Sequence, residues 1–124
     1  MTTLPWQHFR DEVSRHSDIA LICQLANSIQ ISITGYIIGK LGRTPFELRR
    51  IIGESAVHRN TLRDVLATFG YLCQFEDKSN ARNWFISVHP TYDESPMDLF
   101  RNFQSAALLE DLRNGDCIVA LNSL

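Results

Sequence analysis

Helical spacing of apolar residues, interrupted by residues that begin helices, marks the first part of the chain. Pro5 suits the first turn of a helix, and Ser17 followed by Asp18 is typical of an N-cap, so two helices are predicted here. Their inward-facing residues are expected to be Trp6, Phe9 and Val13 in the first helix and Ile19, Ile22, Leu25 and Ala26 in the second. Residues 29–41 fit either the alternation of a strand or a helix interrupted by Gly35, and we prefer the helix.

Two helices separated by a short turn are predicted in the middle of the chain. Thr44, Pro45 and Glu47 have the spacing of a capping box with proline at the first helical position. The helix that they begin is expected to end at Gly53, and a second helix is expected to end at Gly70. The predicted core residues are Leu48, Ile51 and Ile52 in the first of these helices and Leu62, Val65, Leu66 and Phe69 in the second.

Two runs of aromatic and β-branched residues follow, and they predict a β-hairpin. The runs occupy residues 71–75 and 84–88, and the polar stretch between them suits a turn. Ser95 then begins a further helix that is expected to continue to about residue 114. The apolar run at residues 117–121 fits either an added strand or a packed tail.

A set of residues in the two middle helices and the hairpin follows the pattern of a known class of domains. These residues are Thr44, Glu47, Leu48, Asn60, Thr61, Leu62, Leu66, Gly70, Phe85, Ile86 and Val88. The pattern resembles the winged helix-turn-helix superfamily of DNA-binding domains. The resemblance implies an α+β, mainly helical fold. A single domain of residues 1–124 would contain a winged helix-turn-helix core at about 29–89 and additional N- and C-terminal helices at about 5–28 and 96–114.

Positive charge is concentrated in the middle of a chain that is slightly acidic overall. The 124 residues have a formal net charge of -2, with 44% hydrophobic and 21% charged residues, which indicates a globular domain and excludes a polybasic nucleic-acid wrapper. Residues 40–82 nevertheless contain eight Lys and Arg against five Asp and Glu. Because screening confines charge interactions to about 8 Å, acidic residues elsewhere do not cancel a basic face.

The resemblance and the local charge together predict duplex DNA as the partner. In the superfamily the second helix enters the major groove and the hairpin wing touches the backbone or the minor groove. The predicted contacts to bases or nearby phosphates are Arg59, Asn60 and Arg63, and the predicted contacts to the DNA backbone are Arg43, Arg49, Arg50, Lys78 and Arg82. Asp64 is expected to be exposed beside Asn60 and Ala67, where a carboxylate would oppose DNA binding.

No residue pattern indicates catalysis, a metal site or a cofactor, so an enzyme is not predicted. The histidines lack the spacing of metal or nucleophile motifs, and the cysteines, which form no Cys-x-x-Cys pair, are expected to be buried reduced thiols. These residues are His8, His16, His58, His89, Cys23, Cys73 and Cys117. No apolar run approaches the roughly 20 residues that cross a bilayer, and the first residues lack signal-peptide features, so a cytoplasmic protein is expected.

Two functional hypotheses follow from these observations. The first is a DNA-binding transcriptional regulator that acts as a homodimer through its terminal helices, on half-sites about 34 Å apart. The alternative is a protein-interaction module on the same fold that does not bind DNA. The apolar residues of the terminal helices fit either a dimer interface or a cover for the protein's own core. The first hypothesis requires the cations to converge beside a second helix that protrudes from the domain.

Overall fold

The structure is a computed structural model that describes residues 2–115, in which every regular element is a helix. No strand is found among these residues, where the only β-type pairing is an isolated bridge between His89 and Glu94. The helices are α1 (Trp6–Val13), α2 (Asp18–Ser28), α3 (Ile31–Ile37), α4 (Pro45–Glu54), α5 (Ala56–Leu72), α6 (Lys78–Ile86), α7 (Pro96–Arg101) and α8 (Ala106–Asn114).

Helix α5 lies at the centre of the bundle and packs against α1, α2, α4 and α6. The predicted inward residues of this helix are confirmed, and burial extends around the helix to Ala67 and Thr68. The expectation that Ala67 and Asp64 are exposed is therefore wrong, because α1 covers that side of α5. The buried residues of α5 are Leu62, Val65, Leu66, Ala67, Thr68, Phe69, Tyr71 and Leu72.

The expected α+β fold and its winged helix-turn-helix core are wrong for the part of the chain that the structure describes. Helix α5 does not end at Gly70 but continues to Leu72, so the first predicted strand begins inside a helix. Residues 78–82, within the polar stretch predicted to be the hairpin turn, form the first half of α6, whose N-cap Asp77 accepts a hydrogen bond from the backbone N–H of Asn80 at 2.8 Å.

Burial at helical spacing explains why the second predicted strand is also a helix. Ala81, Trp84 and Phe85 are buried at i, i+3 and i+4 on α6, which packs against α5 and α7. Packing of these aromatic side chains on one helical face outweighs their preference for strands, since that preference depends strongly on context.

The helix starts predicted at Ser17, Thr44 and Ser95 are confirmed, whereas Pro5 is the N-cap of α1 and not its first helical residue. The hydroxyls of Ser17, Thr44 and Ser95 accept hydrogen bonds from the backbone N–H three residues ahead, and Thr44 forms a complete capping box with Glu47. The helix preferred for residues 29–41 exists, although α3 ends at Ile37.

The helix predicted after Ser95 is wrong in its length. It is broken into α7 and α8 around Phe103, which has a φ of 57°. Phe103 is exposed, so the break places this apolar side chain in solvent. The apolar run at residues 117–121 lies outside the described residues.

The prediction of buried cysteines is wrong for Cys23. Its thiol is free and exposed, because Leu21, Ile22 and Leu25 define the buried side of α2 and Cys23 lies on the other side. Cys73 is free and half-buried, and burial raises the pKa of its thiol. Cys117 lies outside the described residues.

No individual helix in residues 2–115 has the length and apolar content that crossing a membrane requires. Helices α2 and α3 meet that requirement only as a pair, and the pair is bent by 116°.

Candidate functional site

Helix α5, the predicted DNA-reading helix, is enclosed by its neighbours. Its exposed positions are confined to the first turns, at Ala56, Val57 and Asn60, while the rest of the helix packs against α1, α2, α4 and α6. In a helix-turn-helix the N-terminal residues of the recognition helix contact the base edges. On α5 the exposed side chains of these turns are two apolar ones and Asn60.

The three side chains predicted to read bases differ in burial and in their hydrogen bonds. Arg59 is half-buried: its Nε donates to Oδ1 of Asp18 at 3.0 Å and its Nη2 donates to the carbonyl oxygen of Gly53 at 3.2 Å. Asn60 is exposed. Arg63 is half-buried, and its Nε is buried without a hydrogen-bond partner among the described residues. Arg59 therefore ties α5 to α2 and α4.

Asp64, the carboxylate expected to oppose DNA, faces α1 instead. Its Oδ1 accepts from Nε of Arg10 at 2.7 Å, and both side chains are largely buried. Burial raises the pKa of Asp64, and the Arg10 guanidinium opposes that rise. Asp64 is thus part of the α1–α5 contact.

The five cations predicted to hold the DNA backbone do not line one groove: Lys78 lines one cleft, Arg49 and Arg50 line others, and Arg43 and Arg82 line none of these. Lys78 is exposed on the rim of a cleft of about 390 Å³ between α1, α2 and α5. Nearby, Nε of Arg82 donates to the carbonyl oxygen of Ser28 at 2.6 Å. At the other end of α2, Arg49 and Arg50 are exposed on α4, while Arg43 just before α4 bonds Glu47 at 3.2 Å.

Helix α4 presents an exposed stripe opposite its buried side. Phe46, Arg49, Arg50 and Gly53 follow i, i+3, i+4 and i+7, and all four are exposed. Phe46 is 70% exposed. Neither Arg49 nor Arg50 makes an ion pair or a side-chain hydrogen bond within residues 2–115. The stripe therefore combines an aromatic ring with two cations that form no ion pair within residues 2–115, where Glu54 lies one helical turn from Arg50.

Helix α2 contributes a second exposed apolar side chain next to this stripe. Ile19 is 52% exposed and, with Cys23 and Phe46, lines an apolar groove of about 220 Å³ between α2 and α4. A polar groove of about 290 Å³ adjoins it. Phe46 and Arg49 line both grooves and form the ridge between them. The α2–α4 surface is defined by Asp18, Ile19, Ile22, Cys23, Pro45, Phe46, Arg49, Arg50, Gly53 and Glu54.

Local hydrogen bonds fix the two helices that form the α2–α4 surface. The capping box of Thr44 and Glu47 holds the start of α4, immediately beside Phe46. The backbone N–H of Thr44, followed by the Arg43 guanidinium, lowers the pKa of Glu47. At the other end, the bonds from Arg59 to Asp18 and to Gly53 join the start of α2 to the end of α4.

Sequence reasoning missed the apolar part of this surface. Ile19 was expected to face inward, but the buried positions of α2 are Leu21, Ile22 and Leu25, which leave Ile19 on the flank. Phe46 carried no functional prediction. The sequence does contain a signal for its exposure. Phe46 precedes the buried Leu48 by two positions, and residues two positions apart lie on opposite sides of a helix.

Metal chemistry has no support in the described part of the chain, where no group of three or more His, Cys, Asp or Glu is placed to hold an ion. Comparison of the chain with protein-family models, curated proteins and solved structures finds no match.

Proposed function

We propose that the protein is a protein-interaction module that binds a partner protein on the α2–α4 surface. The observation that carries the proposal is the apolar groove lined by Arg49, beside which Arg50 is exposed; neither arginine makes an ion pair within residues 2–115. Exposed apolar residues that are scattered singly need no explanation, but Ile19 and Phe46 line one groove. Aromatic residues and arginine are also the residue types enriched at protein interfaces.

Duplex DNA fits this surface less well than a protein does. Arg49 and Arg50 suit phosphates, but the groove beside them is lined mainly by apolar side chains, which a phosphate backbone does not complement. Because α5 is enclosed beyond its first turns, few of its side chains are available to a major groove, which favours a protein partner over duplex DNA. Homodimerisation through the terminal helices stays a prediction.

Capture from a nuclease-treated lysate of the source organism tests the proposal. The immobilised full chain is compared with Phe46→Ser and with the matched control Phe103→Ser, since Phe103 is 65% exposed and lies outside the α2–α4 surface. The expected result is a protein that the wild type and Phe103→Ser retain and Phe46→Ser loses. The purified partner must then bind with the same dependence on Phe46.

Two results would contradict the proposal. One is the absence of any retained protein that depends on Phe46. The other is steeply salt-dependent binding of mixed duplex DNA, measured by fluorescence anisotropy and abolished by the double variant Arg49→Glu/Arg50→Glu.

A further inference from the structure

We infer that the segment docked on the α2–α4 surface is an acidic amphipathic helix, with an apolar side chain in the groove and carboxylates over Arg49 and Arg50. The inference rests on the proposed function and adds the chemistry of the partner.

The size of the apolar groove favours a side chain over a free small molecule. Sites for small ligands enclose about 300–1,000 Å³, and they surround most of the ligand. The groove between α2 and α4 has about 220 Å³. That volume suits an apolar anchor that projects from a larger partner.

The charges around the groove select an acidic partner. Asp18 already accepts a hydrogen bond from Arg59, so it does not neutralise the arginines of α4. Glu54 is exposed one turn from Arg50 on α4, but the two side chains form no ion pair, so Arg50 keeps its donors free for a partner. Carboxylates are therefore attracted toward Arg49 and Arg50, and each guanidinium can bind one through two parallel hydrogen bonds.

The spacing of these groups favours a helical partner. Arg49 and Arg50 lie one turn along α4 from Phe46, which is a separation of about 5–6 Å between Cβ atoms. A helix presents apolar and acidic side chains at the same separation when they are three or four residues apart. Binding by strand addition requires an exposed sheet edge, and residues 2–115 contain no sheet.

Gly53 allows the partner to approach closely at one end of the stripe. It is exposed on α4, and a Cβ at this position would meet only Oδ2 of Asp18, at 3.7 Å. The surface there is formed by backbone, so a partner helix can pack against α4 with a small residue at the contact.

The exposed thiol of Cys23 provides the assay, because Cys23 lines the apolar groove. Two libraries of synthetic helical peptides are compared. Both have varied apolar residues on one face, and the flanks carry only Glu in one library and only Lys in the other. The rate of Cys23 alkylation by N-ethylmaleimide is measured in the full chain by peptide mass mapping. Cys73, which lies outside the groove, is the internal control.

We expect acidic peptides to slow the alkylation of Cys23 at least tenfold at saturation without changing that of Cys73. Arg49→Glu is expected to raise about tenfold the concentration of acidic peptide that gives half of this protection. Lys78→Glu makes the same charge change on the rim of the other cleft, and it should leave the protection unchanged.

Several outcomes would overturn the inference. Equal or better protection by Lys-flanked peptides would exclude an acidic partner. Protection that Arg49→Glu does not alter would exclude it as well. Concentration-dependent self-association that Phe46→Ser abolishes would identify a second copy of the chain as the occupant. Failure of both libraries while a Phe46-dependent protein partner is captured would refute the inference and leave the proposed function intact.

Discussion

Replacing Gly35 with alanine is expected to destabilise the protein by about 1–2 kcal/mol. A Cβ at this buried position in α3 would lie 2.8 Å from the carbonyl oxygen of Lys40. The backbone N–H of Lys40 in turn donates to the carbonyl oxygen of Gly35 at 2.8 Å, which holds the two segments together. The overlap involves main-chain atoms, so a change of side-chain rotamer cannot relieve it.

The magnitude follows from two opposing effects. Overpacking of this kind costs about 1–3 kcal/mol, toward the upper end where backbone must move. Alanine recovers about 1 kcal/mol of helix propensity relative to glycine. The remaining loss corresponds to a fall of about 4–8 °C in Tm for a domain of this size. Urea unfolding monitored by circular dichroism measures it, with an unchanged m-value expected.

Gly53→Ala is the matched control. Gly53 also lies in a helix, but its nearest contact to a new Cβ is an ordinary one of 3.7 Å, to Asp18. This variant should match the wild type or exceed its stability by up to about 0.5 kcal/mol, since Gly53 is next to the end of α4. The reasoning is refuted if Gly35→Ala is as stable as the wild type, or if both variants lose the same amount.

Three further predictions concern buried or capping groups. Trp6→Phe removes the 3.0 Å hydrogen bond from Nε1 to Oγ1 of Thr68 and should lower the free energy of unfolding by about 2 kcal/mol, so an unchanged urea midpoint would contradict it. Thr44→Ala removes the N-cap of α4 at a cost of about 1 kcal/mol, whereas Thr44→Ser should retain most of that stability; equal losses in thermal melts would be inconsistent with the cap. Burial lowers the pKa of His89 despite an opposing effect of Asp111, so below pH about 6.5 the unfolded state takes up a proton that the folded state does not, and stability falls with decreasing pH. Urea titrations between about pH 7 and 5.5 should show this slope in the wild type and a smaller slope in His89→Asn, and equal slopes would rule it out.

Helix starts were predictable from the sequence because each N-cap depends on a hydrogen bond between residues close in sequence. The hydroxyls of Ser17, Thr44 and Ser95 bind a backbone N–H only three residues away, so the sequence pattern and the structure describe the same contact. The hairpin was not predictable in this way. Trp84 and Phe85 favour strands in isolation, and contacts with α7 and with α5 decide for a helix.

The candidate site depends on pairings that sequence alone does not contain. Arg59 and Asp18 are 41 positions apart, and Arg82 and Ser28 are 54 apart. These contacts nevertheless determine which cations already have a hydrogen-bond partner within the protein. The sequence located the cluster of basic residues. Only the fold distinguishes Arg49 from those that already have partners.

During synthesis, α1 leaves the ribosome well before the helix that covers it. Trp6 and Val13 are buried mainly through the contact of α1 with α5, which begins at Ala56. A ribosome that adds about 5–20 residues per second needs roughly 2–9 s to make the intervening segment. The eight residues of α1 are too few for a stable helix on their own, so for that interval the nascent chain exposes their apolar side chains and is most open to premature association with other chains.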